Sequence, residues 1–82
     1  MKAVVAGINS SIGMYAAEID SAGEYVIFEL LDSNEPEIGD VITHQDFYSM
    51  GGEMYRNQTQ GCSIEVYVQN VGDKNIAREM LS

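Results

Sequence analysis

Apolar residues alternate with polar or small ones along most of this chain, in short runs cut by turn-forming residues. Between Ala3 and Leu31 the sequence reads AVVAGINSSIGMYAAEIDSAGEYVIFELL. A period of two sends successive side chains to opposite faces of a strand, and clusters of Asn, Ser and Gly supply the bends between strands. The breaks at Asn9-Ser10-Ser11-Ile12-Gly13 and Ser21-Ala22-Gly23 divide this stretch into a three-stranded antiparallel meander. The first strand covers about Ala3–Ile8, with Val4, Ala6 and Ile8 on one face and Ala3, Val5 and Gly7 on the other. Its residues are small, so another part of the backbone is expected to pass close to it. The second strand covers about Met14–Asp20, with Tyr15, Ala17 and Ile19 opposite Met14, Ala16 and Glu18. The third, Glu24–Leu31, turns Val26, Phe28 and Leu30 one way and Tyr25, Ile27 and Glu29 the other. Both of its faces carry apolar residues, as in a sheet that curls into a barrel and is covered on part of its outside.

Downstream the pattern is less regular. Asp32–Asp40 reads as a surface loop, because its Pro36, the sole proline, cannot donate to a central strand. A short strand follows at Val41–Thr43. His44–Gly52 has no clean period and ends in a Gly51-Gly52 hinge, and Glu53–Asn57 reads as a brief strand. Gln60-Gly61 is a turn, and Ser63–Asn70 alternates with Ile64, Val66 and Val68 inward. Asp73 is a good helix N-cap, and Ile76, Ala77, Met80 and Leu81 share one helical face. This predicts a helix over about Lys74–Leu81, capping one end of the core; at two turns it needs packing to persist. The expected architecture is all-β: one domain over residues 1–82, a small five- or six-stranded OB-like barrel with a short C-terminal helix.

Composition narrows the function. A chain of 82 residues buries roughly 60–65 % of its unfolded surface, so it offers little cleft for catalysis. Thirteen acidic residues against four basic ones give a net charge of −9, which repels phosphate backbones and favours basic partners. The acids are spread along the chain and form no acidic tail. Cys62 stands alone, so no internal disulfide forms, and it has no cation near it in sequence to activate it. No apolar run approaches membrane-spanning length and the first residues lack a signal pattern; the expected setting is the cytoplasm.

Residues 3–57 resemble the cold-shock domain and its relatives in the OB-fold class. Those domains begin with a small-residue strand ending in an asparagine, then a glycine and an aromatic-rich second strand. Here Ala3-Val4-Val5-Ala6-Gly7-Ile8-Asn9 precedes Ser10-Ser11-Ile12-Gly13-Met14-Tyr15, with asparagine and glycine at that spacing. Tyr25-Val26-Ile27-Phe28 stands where the third strand would, and Glu37-Ile38-Gly39-Asp40-Val41 resembles the approach to the fourth. The resemblance implies an OB-like barrel and, as a function, binding of single-stranded RNA or DNA. The chain departs from the family at the binding face. Where the family offers a lysine and two phenylalanines on the second strand, this chain has Ile12, Met14 and Ala16, with Tyr15 the one aromatic. Ala6 and Gly7 replace the exposed tryptophan and lysine of the first strand, and Ser63–Ser82 extends past the family's usual end.

Two sets of residues are candidates for binding. Tyr15, Tyr25 and Tyr67 fall outward in this register and either cover small residues on the barrel exterior or form a stacking face for bases. Phe47, Tyr48, Met50, Met54 and Tyr55 make the His44–Gln60 stretch more apolar than a solvated loop requires, so they either fold back onto the barrel or form a partner contact. His44 and Asp46, with Glu53 nearby, are a weak metal-ligand pattern, since no second histidine or cysteine completes it. The reading that best fits the acidic balance is a non-catalytic interaction module with a protein partner of basic character. It requires no metal and no cofactor; a cold-shock-like single-strand binder is the alternative.

Overall fold

The alternating runs become strands whose inward sets meet in one core. The computed structural model describes residues 1–82 and contains β1 (Lys2–Asn9), β2 (Met14–Ile19), β3 (Glu24–Leu30), β4 (Val41–Thr43), β5 (Gly51–Asn57), β6 (Cys62–Gly72) and α1 (Lys74–Leu81). The strands close into a barrel in the order β1-β2-β3-β6-β5-β4, every pairing antiparallel. Two three-stranded meanders are thus zipped together twice, β3 onto β6 and β1 onto β4. The β2–β3 connection is a tight turn: Ala22 N–H donates to the Ile19 carbonyl at 3.0 Å, and Asp20 and Ser21 both have positive φ. Those angles give the mirror-image turn whose twist matches that of flanking strands. No helix is long and apolar enough to cross a membrane.

Two irregularities in register bend the wall. Val5 pairs with Ala17 but Gly7 with Ala16, so Ala6 is an extra residue in β1. Ile27 pairs with Asn70 but Phe28 with Val68, so Gln69 is extra in β6. Such bulges add twist and curvature, which a six-stranded ring needs to close. They also change facing. Ala3 and Val5 are buried inside the barrel, whereas Gly7 lies outside, beneath α1; the expectation of one face shared by all three stops at the bulge.

The barrel interior holds Val5, Ile19, Val26, Phe28, Ile42, Ile64, Val66 and Val68 around an aromatic cluster. Tyr15 stacks on Phe28 with centroids 5.7 Å apart, Tyr55 meets Phe28 edge-on at 5.3 Å, and Phe47 meets Tyr55 edge-on at 5.2 Å. Tyr15, Phe47 and Tyr55 are therefore core residues: Tyr15 against the expectation that it faces outward, Phe47 and Tyr55 by folding back onto the barrel in place of a partner contact. Tyr15 shares the face of Ala17 and Ile19, which is the inner one; Glu18 marks the outer. Phe47 plugs the end of the barrel where the chain passes from β4 to β5, and Tyr55 alternates inward from β5 with the buried Asn57.

The two longer connections close the two ends of the ring. Residues 31–40 cross the end at which β3 stops and β4 starts, burying Pro36. Asp40 ties this connection down: one carboxylate oxygen accepts Glu37 N–H at 3.0 Å, Asn57 Nδ2–H at 2.8 Å and Gln60 Nε2–H at 2.7 Å. Burial alone would push the Asp40 carboxyl up, but these donors outweigh it and hold its pKa below the usual carboxylate value.

The helix starts as the sequence predicts. Asp73 caps it by accepting Ile76 N–H at 3.0 Å, and Asn9 Nδ2–H donates to the Leu81 carbonyl at 2.6 Å at the other end. It does not plug an end of the barrel. It lies along the outside of β1–β3, where Ala77 joins Ala16 and Ile27 in a second small cluster with Met14, Tyr25, Met80 and Leu81 at its margin. The small residues of β1 and β2 permit this approach: a Cβ placed on Gly7 would lie 2.9 Å from Leu81 Cδ2.

Candidate interaction surface

With α1 spread over β1–β3, the outer wall of β5 and β6 is left bare. Alternation turns Gly52, Met54 and Arg56 outward from β5 and Glu65, Tyr67 and Gln69 outward from β6. Met54 is 58 % exposed, Tyr67 48 % and Met50, just before β5, 47 %. Gly52 stands opposite Tyr67 and Met54 opposite Glu65, so Met54 and Tyr67 are diagonal neighbours, within reach of each other on a pleated face. Gly52 adds no side chain, which leaves the tyrosine ring uncovered on that side. Glu65 across from Met54 and Glu29 across from Tyr67 fringe the apolar pair with negative charge. Arg56 is the one cation on these two strands.

Of the five residues expected to form a partner contact, the fold brings Met54 to this wall, leaves Met50 exposed just ahead of it and withdraws Phe47 and Tyr55 into the core. Tyr48 stays 47 % exposed, on the segment that closes the β4–β5 end of the barrel. Its hydroxyl donates to Glu24 Oε1 at the start of β3, and that bond raises its pKa above the ordinary tyrosine value. The three tyrosines of the expected stacking face are scattered. Tyr15 is interior, with its hydroxyl 3.4 Å from Glu35, and burial followed by that carboxylate pushes its pKa up. Tyr25 is half-buried beside α1, and Tyr67 stands on the opposite wall. Tyr67 is the residue that sequence reasoning placed on the wrong surface partnership: its alternation was legible, its neighbours Met54 and Gly52 required the β5–β6 register.

The polar cluster inside the His44–Glu53 segment is a fastening. His44 Nε2 lies 3.0 Å from Glu53 Oε1, and Ser49 Oγ donates to Glu53 Oε2 at 2.9 Å. Asp46 N–H donates to His44 Nδ1 at 2.9 Å, so Nδ1 is an acceptor and the hydrogen facing Glu53 sits on Nε2. The carboxylate is thus the middle member of the chain, and serine donates to it and to no imidazole nitrogen. An activated nucleophile needs the serine on the base; this order holds the segment shut over Phe47 instead. Asp46 spends its carboxylate on Tyr48 N–H at 2.9 Å, and no three metal-binding side chains converge anywhere in the molecule. Cys62 is half-buried against the core. Comparison with protein-family models, with curated proteins and with solved structures found no match to this chain.

Proposed function

We propose that this protein is a small non-catalytic interaction module that docks a basic, apolar-bearing segment of another protein on the outer wall of β5 and β6. The observation that carries this reading is the adjacent exposed pair Met54 and Tyr67, each with a glutamate directly across the strand. Methionine adapts its shape to varied partners, and an exposed tyrosine offers a large rigid contact at low entropic cost. The fringe of Glu29 and Glu65, on a chain of net charge −9, selects lysine and arginine around the apolar anchor. The test is affinity capture with the wild-type protein and with Met54→Gln/Tyr67→Asn, both shown to be equally folded. Partners held through this wall are retained by the first and lost by the second; equal capture by both would overturn the reading.

A cold-shock-like role is the second reading, favoured by the OB-like closed barrel and by the exposed ring of Tyr67. Stacking of that kind works beside a basic groove. Arg56 is alone among acids on this wall, Lys2 lies on β1, and Lys74 and Arg78 lie on α1. The expected outcome of titrating single-stranded DNA and RNA at physiological salt is no binding tighter than roughly 10⁻⁴ M, the weak end of non-specific affinity. Saturable, salt-sensitive quenching of tyrosine fluorescence at micromolar oligonucleotide would make this the leading reading.

A further inference from the structure

The outer side chains of β3, β6 and β5 stand in rows across the wall. In one row Glu29 lies opposite Tyr67, and Tyr67 opposite Gly52. The next row holds Glu65 with Met54 on one side and Leu31 on the other, where Leu31 N–H donates to the Glu65 carbonyl at 2.8 Å. A shallow hollow of about 400 Å³ is bordered by Gly52, Met54, Glu65 and Leu31. Glu53 also borders it, but its two oxygens are held by His44 and Ser49. Leu31, Met54 and Tyr67 are all exposed, so nothing in the fold fills this space.

Gly52 is the part of this wall that the fold does not require. Its neighbour Gly51 has a φ of +82°, where glycine is favoured. Gly52 has no positive φ, and a Cβ placed on it would meet no atom within 4 Å. Neither backbone angle nor packing calls for a missing side chain there, and a glycine inside a strand weakens it. Close approach of a ligand or of another chain is one reason for such a residue. What its absent side chain opens is one flank of the Tyr67 ring; Glu29 stands on the other flank. Charge gives the hollow a direction, because Arg56 stands one row beyond Met54, across from Ser63, away from Tyr67.

Building on the docking role given to this wall above, we propose that the hollow over Gly52 receives one arginine side chain of the partner segment. Its methylene stem crosses Gly52 against Met54, and its guanidinium lies on the open flank of the Tyr67 ring with its edge toward Glu65. Tyr67 and Glu65 are two residues apart on one strand, about 7 Å, so a single planar group spans ring and carboxylate. Arginine suits this pairing better than lysine. A guanidinium stacks on an aromatic face and forks onto a carboxylate, whereas an ammonium is a compact, strongly hydrated point charge.

The test is an NMR titration of the ¹⁵N-labelled protein with three five-residue peptides, alike in their leucine and lysine flanks and carrying arginine, lysine or citrulline at the centre. Saturable shifts at the amides of Gly52, Met54, Glu65 and Tyr67 are expected, with the arginine peptide held roughly three- to fivefold more tightly than the other two. Gly52→Val puts a side chain into open space and closes the approach to the ring. It should keep the dispersed spectrum of the folded protein and abolish the preference for arginine. Equal affinity for the three peptides, a preference untouched by Gly52→Val, or shifts away from these residues would each overturn the proposal. The docking role itself is judged separately, by the affinity capture with Met54→Gln/Tyr67→Asn; a partner lost by that variant but indifferent to Gly52→Val leaves the docking wall and removes its arginine seat.

Discussion

The hydroxyl of Tyr55 lies in the barrel interior without a hydrogen-bond partner, and burial drives its ionisation far above the ordinary tyrosine range. A hydroxyl left unpaired inside a protein costs about 1–3 kcal/mol. Tyr55→Phe removes that cost while keeping the ring contacts with Phe28, Phe47 and His44. Urea denaturation should show the variant more stable by about 1–2 kcal/mol; a loss of stability would mean that the hydroxyl is satisfied in solution, by water. Asp40 is the opposite case, a nearly buried carboxylate with three donors on one oxygen. Its folded pKa lies below the unfolded one, so its contribution is complete above about pH 4 and drains away as pH falls through the folded value. Asp40→Asn should cost on the order of 2 kcal/mol at pH 7, and the gap to wild type should narrow in melts recorded as pH drops from 5 toward 2. A gap independent of pH would detach the network from the charge on Asp40.

The elements follow from alternation where side chains carry it. β3 and β6 have an apolar residue at every second position, and α1 has a cap and a face, so their identity and facing were legible. β5 begins at Gly51-Gly52, two residues without side chains, and a period of two cannot be read through them; the strand therefore looked shorter than it is. The inward course of Phe47 has no periodic signature at all, since it plugs an end and belongs to no strand. Tyr15 carried a usable sign, a shared face with Ile19 opposite Glu18, which marks that face as the inner one. The bulge at Ala6 depends on cross-strand register, and one strand's sequence does not contain it. Its product, the outward Gly7, sets how closely α1 docks. Gly7→Val would force Leu81 away, and overpacking of that kind costs about 1–3 kcal/mol. Reduced helical signal in circular dichroism and a lower melting temperature should accompany it; a variant with unchanged stability and helix content would mean that α1 is held without contact at β1.

For the molecule as a whole, charge opposes compaction. With −9 on an 82-residue chain and no lysine or arginine within 4.0 Å of a carboxylate, repulsion among carboxylates is spread over the surface. Screening strengthens as the Debye length shortens from about 30 Å at 0.01 M to about 8 Å at 0.15 M salt. Thermal stability should therefore rise with sodium chloride over that range. A melting temperature that fell with salt would point to favourable pairs that the folded surface does not contain. The same field extends into solution, where it speeds encounters with cationic partners and slows those with polyanions.

The closure of the ring has one slender point. β4 is three residues long, paired to β1 through Val41, Ile42 and Thr43 and to β5 through Ile42 and Thr43. While it holds, the barrel has no free edge, and a partner cannot join it by adding a strand. If β4 lifts away, β1 and β5 become two raw margins at once, each able to recruit a matching strand from a second molecule. Fluctuation of this staple, more than unfolding of the core, would then decide whether each barrel keeps its strands to itself in a crowded solution or begins to exchange them with its neighbours.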